Sequence, residues 1–494
     1  MGGLKTLFKQ TFVYGLATVL PRLLNIILVP LYTSKAVLEN TSDYGQVSII
    51  FSYFIICNVI LSYGMETAFF RFYNKEKQPK AVLGTSCITI LITSLLFLVI
   101  TLLARDILET LLLIDRKYLT IIIWTLFLDA MVLIPFAWLR ATGKPVKYAV
   151  IKIANVSLSL SLNLLIFLWL KPQFELQNFW SSLYVPNNEI TYIFISNLIA
   201  SLFTFLILLS VYWQIQWRFD IQLWKRMMRY ALPVLISGMA FTINETFDKI
   251  LLQRLLPSDI SESQVGMYAA CYKIGVLMTL FTTAFRLGIE PYFFKHFNSI
   301  KPQYHYARIL EAFVALGTSM LLVVIVGADF IKQILISDAA YWEAMWIVPF
   351  ILLANLCLGV YHNLSVWYKV TDRTKFGAYF SLSGAVLTLG INFYLIPTIG
   401  FKASAIATLI AYSLMMFLSF VFGRKYYPIP YNLKKIGFQI LLSVTLAFTY
   451  FFNFRENYTI GILMIIVFLL YISYSEKELI LRILKIQNAN KNFK

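Results

Sequence analysis

The sequence predicts an all-α polytopic membrane protein with about fourteen transmembrane helices. Of its 494 residues, 59% are hydrophobic and only 13% are charged, a balance that water-soluble domains do not have. Apolar runs of about 19 to 25 residues recur along the whole chain, and each is long enough to cross a bilayer as a helix. The runs lack the period of two that barrel strands require, so the spanning segments are predicted to be helices.

The first apolar run, residues 8–32, is too long for a signal-peptide core, and no small-residue cleavage site follows it. We therefore expect it to remain as the first span. The other boundaries follow from the apolar runs and the short polar loops between them. The spans are predicted at residues 8–32, 44–65, 82–103, 118–139, 149–170, 191–213, 229–255, 266–289, 307–328, 343–363, 377–397, 403–423, 436–454 and 457–475.

The basic residues predict the orientation. Of the 42 lysines and arginines, roughly 28 fall in loops on the side of the N-terminus, about 8 in the other loops and about 6 in the spans. The positive-inside rule then places both termini in the cytoplasm. We expect the membrane to be the bacterial inner (plasma) membrane. Because these loops account for the net charge of +18, we expect membrane lipids as their partners and no nucleic acid.

The chain contains an internal repeat. Residues 64–74, GMETAFFRFYN, recur 224 positions later as residues 288–298, GIEPYFFKHFN. Residues 138–144 and 367–373 match in the same way at a spacing of 229. Two such matches indicate a duplication. Each copy holds six predicted spans, an even number, so the repeats run parallel and should be related by an axis along the membrane normal.

The repeat predicts the domain organisation: two six-helix lobes, then two additional C-terminal helices and a cytoplasmic amphipathic tail. Transporters built from paired lobes hold their substrate between the lobes and expose it to each side in turn, so the duplication favours transport over a static scaffold. The predicted boundaries are residues 1–220, 221–430, 431–475 and 476–494.

A few charged residues fall inside the predicted spans. Such a residue costs about 2.5 to 3.5 kcal/mol on insertion scales, so it should face a partner or a wet cavity. Arg22 follows Pro21 in the middle of the first span and is predicted to be a cavity cation, with a structural ion pair as the alternative. Lys273 lies two turns into its span, too deep to be a topology signal. Asp129 is either a cavity acid or the structural partner of a cation.

The seventh span carries three charged residues in one short stretch. Glu245 and Lys249 are one turn apart, so we expect them to neutralise each other. Asp248 has no partner at that spacing. Two interpretations remain open for it: a pair across the cleft with Arg22 or Lys273, or a part in cation or proton coupling.

Glu66 and Glu290, the paired glutamates of the repeat, fall at the inner ends of their spans. With the basic residues Arg71 and Lys295 they are predicted to fix a helix end or an inner gate. Direct contact with a substrate is the less favoured interpretation for both glutamates.

Catalytic signatures are missing from the sequence, which has no P-loop, no HExxH and no CxxC pair. The histidines, His296, His305 and His362, are scattered. We therefore expect neither an enzyme nor a cofactor or metal site, and transport would draw on an ion gradient, the membrane potential or removal of the product. The cysteines fall inside predicted spans, where they behave as small hydrophobic residues: Cys57, Cys87, Cys271 and Cys357.

The sequence resembles the multidrug, oligosaccharidyl-lipid and polysaccharide exporter (MOP) superfamily, and within it the Wzx-type polysaccharide transporters (O-antigen flippases), along essentially its whole length. The residues that carry the resemblance are Tyr14-Gly15, Pro21-Arg22, Pro30-Leu31-Tyr32, Tyr44-Gly45, Asp248-Lys249-Ile250 and Val265-Gly266 to Lys273.

The resemblance implies a flippase that moves undecaprenyl-pyrophosphate-linked repeat units of O-antigen, capsule or exopolysaccharide to the outer leaflet. The path would be a cationic cavity between the lobes, with Arg22 and Lys273 holding the pyrophosphate or acidic sugars. It also implies that the two extra helices guide the polyprenyl tail. Polymerases or glycosyltransferases are the protein partners to expect.

Three alternatives stay open. A lipid II flippase would use the same mechanism on a different sugar. A multidrug or cation antiporter is disfavoured by the two extra helices. A membrane enzyme, such as a polymerase or a glycosyltransferase, usually has a large loop at the membrane face, whereas the longest outer loop here spans only residues 171–190.

Overall fold

A computed structural model of the chain describes residues 2–177, 179–295 and 301–477, and regular structure within these ranges is helical throughout. A π-helical turn, Ile166–Leu170, joins the seventh and eighth helices into one long span, and a short 3₁₀ helix, Phe179–Leu183, follows. The first nine α-helices are α1 (Gly2–Tyr32), α2 (Thr41–Ser62), α3 (Met65–Lys75), α4 (Pro79–Leu103), α5 (Arg105–Leu112), α6 (Arg116–Ala141), α7 (Pro145–Leu165), α8 (Lys171–Glu175) and α9 (Glu189–Tyr212).

The second half of the chain continues in the same way, with a 3₁₀ helix, Ala339–Ile347, leading into the fourteenth α-helix. Its α-helices are α10 (Ile221–Leu255), α11 (Ser258–Lys295), α12 (Pro302–Val326), α13 (Ala328–Leu335), α14 (Val348–Leu364), α15 (Val366–Val370), α16 (Lys375–Ile399), α17 (Phe401–Tyr426), α18 (Leu433–Asn453) and α19 (Tyr458–Ser475). From residue 478 onward the predicted amphipathic tail lies outside the described residues.

Within the described ranges, thirteen helical stretches are long and apolar enough to cross a membrane. The seventh predicted span, α10, is missing from these thirteen because its charged residues lower its hydropathy. With 35 residues it is nevertheless about 50 Å long, more than a bilayer core requires. The prediction of an all-α membrane protein with about fourteen spans is confirmed.

The second predicted span is divided into two helices. Tyr63 and Gly64 have φ angles of 30° and 73°, which end α2 and start α3 in a new direction. Glycine is required at position 64, because a Cβ there would lie 2.5 Å from the carbonyl oxygen of Ala231 in α10. The repeat motif therefore begins a separate amphipathic helix, α3, which a hydropathy window merges with α2.

The two ends of the bundle are called here the distal and the proximal face. Helix connections at 33–40, 113–115, 256–257 and 336–338 define the distal face. Connections at 76–78, 142–144, 213–220 and 371–374 define the proximal face, which the predicted orientation makes cytoplasmic.

The helices of the two chain halves meet along α1 and α2 on one side and α10 and α11 on the other. In the first half α1 also packs on α7, and α6 packs on α4 and α9, whereas in the second half α16 packs on α10 and α17. The lobe boundaries at residues 220 and 430 remain a prediction.

The two additional helices, α18 and α19, pack against α12 and are fixed at both ends. At the proximal face Lys435 pairs with Glu311 at 3.3 Å and with Glu476 at 2.7 Å. At the distal face Arg455 binds both carboxylate oxygens of Asp329, each at 2.7 Å. These contacts attach the hairpin to the second half of the chain.

Candidate functional site

A cavity of about 370 Å³ lies between the two halves of the chain. Its wall comes from α1, α2, α7 and α9 of the first half and from α10 and α11 of the second. Hydroxyl and amide groups inside an otherwise apolar bundle form a site for a hydrophilic group. The uncharged polar residues of this central cavity are Asn25, Tyr32, Tyr44, Ser48, Ser52, Ser159, Asn197, Thr246 and Tyr272.

Lys249 and Asp248 form an ion pair at the wall of the central cavity. Lys249 Nζ lies 3.1 Å from Asp248 Oδ1, and the hydroxyl of Tyr268 donates to Asp248 Oδ2 at 2.5 Å. The ammonium also sits 5.0 Å from the ring centroid of Tyr272, within cation–π distance. Asp248 therefore has two side-chain partners, Lys249 beside it in α10 and Tyr268 in α11, which corrects the expectation that it lacked one.

Glu245 also lines the central cavity, but its hydrogen-bond partner is not Lys249. The hydroxyl of Tyr412 in α17 donates to Glu245 Oε1. Lys249 acts on Glu245 as a nearby charge, as expected, but its ammonium forms its ion pair with Asp248. The tyrosine gives Glu245 a hydrogen-bond donor from another helix.

Lys273 projects from α11 into the same cavity. In the part of the chain that the structure describes, no carboxylate oxygen lies within 4.0 Å of its ammonium. Its strongest charged neighbour is another cation, Lys249. A buried ammonium that repels its neighbour and has no carboxylate partner has the electrostatics of an anion-binding group.

Arg22 is an exposed residue of α1, one turn before Asn25 of the cavity wall. Its Nη1 lies 3.4 Å from Thr283 Oγ1 in α11, a long contact. It also interacts electrostatically with Glu245 and with Arg286. Arg22 thus adjoins the central cavity on its proximal side without being part of the wall.

Arg286 and His362 complete this basic cluster, and neither was among the sequence candidates. Arg286 Nη1 lies 3.4 Å from His362 Nε2, and Arg286 also interacts with Arg22. The sequence offered one signal for His362, its position inside the predicted span 343–363. The sequence could not predict that α14 packs on α11 and brings His362 next to Arg286.

Asp129 lies elsewhere, inside the first half of the chain. It accepts a hydrogen bond from Ser201 of α9 at 2.7 Å and interacts with Asn58 and Lys152. It does not line the central cavity. Of its two predicted roles, these contacts favour the structural one.

The paired glutamates of the repeat each form an ion pair near the proximal face. Glu66 of α3 pairs with Arg140 of α6, and Glu290 of α11 pairs with Lys369 of α15 at 2.6 Å. Both pairs join residues of the same half. Arg71 instead stacks over the ring of Tyr230 at 4.3 Å. Lys295 ends α11, and its side chain lies outside the described part of the chain.

Comparison with known proteins identifies the family. The family model described as "Polysaccharide biosynthesis protein" matches residues 7–297. No curated protein matches the sequence. A solved structure described as a lipid II flippase, MurJ, in an inward closed conformation superposes with a TM-score of 0.74 at 15% identity, covering 95% of this chain and 100% of its own.

Two further solved structures share the fold. An inward-facing multidrug resistance transporter of the MATE family has a TM-score of 0.63 at 14% identity, covering 84% of this chain and 94% of its own. A transporter from Pyrococcus furiosus, described as having a binding pocket of reverse polarity, has a TM-score of 0.59 at 13% identity, covering 85% of this chain and 94% of its own. At these identities the likeness establishes the fold alone.

The chain is thus a multi-pass membrane protein with the transporter fold of the MOP superfamily, as the sequence resemblance predicted. It belongs to the polysaccharide biosynthesis protein family, whose model matches more than half of it. Its fold is shared with a solved lipid II flippase and with solved transporters.

Proposed function

We propose that this protein is a flippase that moves undecaprenyl-pyrophosphate-linked oligosaccharide repeat units from the inner to the outer leaflet of the bacterial inner membrane. The observation that carries the proposal is Lys273, whose ammonium has no carboxylate partner among the described residues and lies in a polar cavity between the two halves. A cation in such a site gains most from an anion, and the diphosphate, which carries two negative charges, is the part of the substrate that lipid rejects most strongly.

The basic cluster on the proximal side extends this site toward the face where the substrate would enter. Arg22 and Arg286 lie close enough to interact, and each would gain from an anion between them. We propose that the diphosphate meets this cluster first and the lysines of the central cavity second. The hydroxyl and amide groups of the cavity wall would bind the sugars that follow.

The mechanism proposed is alternating access between lobes 1–220 and 221–430, with both termini cytoplasmic. The inner ends of the helices, or an inner gate, would be fixed by Glu66, Arg71, Glu290 and Lys295. The helices of 431–475 would guide the polyprenyl tail outside the cavity. The wider coverage of this chain by the lipid II flippase, 95% against 84% by the MATE transporter, supports this role.

The coverage of 95% by the lipid II flippase also favours a second candidate function, a lipid II flippase for peptidoglycan. The two candidates can be distinguished by deleting the gene in its own host and measuring surface polysaccharide, viability and lipid-linked intermediates. Viable cells that lose a surface polymer and accumulate its lipid-linked repeat unit inside would support the proposal. Lysis with accumulation of lipid II would move the assignment to peptidoglycan, and unchanged glycans with raised drug sensitivity would overturn both.

A further inference from the structure

A third pair of matching segments places a short helix at the distal end of each half of the chain. Residues 104–118 and residues 327–341 match at a spacing of 223, with identical aspartates at positions 115 and 338. Asp115 and Asp338 each accept a hydrogen bond from the backbone N–H two residues later, at 2.9 Å and 3.1 Å, and so start the following helix. The short helices that precede them, α5 and α13, are therefore copies of one element.

Each short helix follows a break in the backbone at the distal end of a span. Ala104 ends α4 with φ −90° and ψ 9°, and Gly327 ends α12 with φ −81° and ψ 1°, so neither span continues as a regular helix into the next. Both spans have 25 residues and are about 37 Å long, whereas a hydrocarbon core is about 30 Å thick. The breaks therefore lie where the hydrocarbon core gives way to the headgroups.

The helix α5 has two apolar stripes, and only one of them is used inside the protein. Leu108 and Leu112 pack against the core of the bundle. Ile107 and Leu111, each one position earlier, are 68% and 59% exposed. Residues four apart lie on the same side of a helix, so each pair forms a stripe. The second stripe is left uncovered by the described part of the chain.

The same division recurs in α13. Ile331 and Leu335 pack against the core, whereas Phe330 and Ile334 are 60% and 56% exposed. These four residues stand 223 positions after the four of α5, in the same order. Both copies of the element thus present an uncovered apolar stripe at the distal face.

The third side of both helices is polar. In α5 it carries the exposed Thr110 and also Asp106, which pairs with Arg116 at 3.0 Å. In α13 it carries the exposed Gln333 and also Asp329, the residue that binds the α18–α19 hairpin. One side of each helix thus suits the protein core, one suits lipid and one suits water. A helix can meet all three along its length when its axis follows the membrane surface.

We propose that α5 and α13 are a matched pair of interfacial helices that bind the lipids of the distal leaflet, which the predicted orientation makes the outer leaflet. The occupant of the uncovered stripes is lipid acyl chain near its junction with the headgroups. The stripe of α5 continues a surface that already faces lipid, because Ile92, Leu96 and Leu103 form an exposed apolar side of α4 directly before it. In water such a continuous apolar surface would be unfavourable.

The place of these helices in the repeat gives the surface its consequence. Each lies between the third and the fourth span of its half, so each half of the chain has its own attachment to the distal leaflet. In the second half the same helix also holds the α18–α19 hairpin through Asp329. Lipid binding by the two stripes goes beyond the proposed flippase function and holds whatever molecule the protein transports.

Depth-dependent fluorescence quenching tests this placement. The variants are Ile107→Cys, Leu111→Cys, Phe330→Cys and Ile334→Cys, each in full-length protein with the native cysteines replaced by alanine, labelled with bimane and placed in lipid nanodiscs. We expect phosphatidylcholine brominated near the carbonyl end of its acyl chains to quench these labels at least twofold more than phosphatidylcholine brominated near the methyl end. Aqueous iodide should quench them weakly.

Neighbouring positions provide matched controls. Thr110→Cys and Gln333→Cys change exposed residues of the same two helices, directly before Leu111 and Ile334. Iodide should quench the labels at these polar positions at least threefold more than the labels one position later. Ile92→Cys, three turns deeper on the exposed side of α4, should be quenched most by bromine near the methyl end.

Strong iodide quenching of the four stripe labels would place both helices in water and overturn the proposal. Stronger quenching by bromine near the methyl end would place them inside the hydrocarbon core, and protection from both quenchers would mean that protein covers the stripes. Either result would overturn the proposal as well. Quenching by lipid on only one of the two helices would contradict the matched pair.

Discussion

Lys369 donates a hydrogen bond to Glu290 at 2.6 Å, and the pair repeats in the second half of the chain the pair that Arg140 forms with Glu66 in the first. The two glutamates are 224 positions apart and their partners are 229 apart. In each half, the segment that contains the glutamate contacts the segment that contains its basic partner, so both copies of the repeat form the same interaction. Because each pair lies within one half, the pairs favour the predicted role of fixing a helix end.

Removing one partner of the second-half pair should destabilise the protein modestly. The side chains of Lys369 and Glu290 are 29% and 35% exposed, so solvent screens their attraction. We expect Glu290→Gln or Lys369→Gln to lower the free energy of unfolding by about 1 kcal/mol or less. Thermal unfolding in detergent measures it. The exchange of Glu290→Lys with Lys369→Glu should recover stability, whereas additive losses would mean that the two residues do not interact.

The sequence allowed much of the fold to be predicted, because span length and loop charge are local properties of the chain. The division between α2 and α3 was missed, since a hydropathy window averages over Tyr63 and Gly64. The candidate site was harder to predict. Tyr412, which binds Glu245, lies 167 residues farther along the chain, and only the packed helices reveal that contact.

Lys273 should be required for transport because it is a cavity cation that has no carboxylate partner in the described part of the chain. Charge-assisted hydrogen bonds are worth about 1.5 to 3 kcal/mol, so Lys273→Gln should lower flipping about 10- to 100-fold. Lys273→Arg keeps the charge and should retain most of it. The measurement is complementation of the deletion strain, with surface polysaccharide quantified at matched protein levels.

The control for this prediction is Lys402→Gln at the start of α17. Lys402 is exposed and lies 5.6 Å from the ring centroid of Trp346, outside the central cavity. It should complement as well as the wild type. Full complementation by Lys273→Gln at normal protein levels would contradict the role of Lys273.

Acid should loosen the attachment of α18 and α19 through Asp329. Burial raises the pKa of Asp329, but the hydrogen bonds and charges of Arg455 and Lys332 outweigh it and hold the pKa below its ordinary value. A carboxylate with a depressed folded-state pKa stabilises the protein above its unfolded-state pKa, about 3.9, and loses this contribution as the pH falls through the folded-state value.

We therefore expect Asp329→Asn to cost about 1 to 2 kcal/mol at pH 7 and progressively less below about pH 4. Thermal unfolding of the wild type and the variant across this range measures the difference. Asp338→Asn, which removes a neighbouring distal carboxylate paired with Lys35 at 3.7 Å, serves as the control with a smaller effect. A loss that stays constant with pH would contradict the ionic origin.

Gly45 in α2 and Gly266 in α11 bring the two helices into backbone contact at the distal face, where Thr41 Oγ1 and Ser263 Oγ lie 2.6 Å apart. Alanine at either glycine should hold the protein open on that side. The added methyl group cannot be accommodated at 1.9 Å from a backbone oxygen, so α2 and α11 must separate. We expect Gly45→Ala and Gly266→Ala each to lower crosslinking of Thr41→Cys with Ser263→Cys at least fivefold, because the closed state then loses several kcal/mol. Gly390→Ala, whose Cβ would meet nothing within 4 Å, should leave crosslinking unchanged. Undiminished crosslinking in both glycine variants would show that the halves close without this backbone contact.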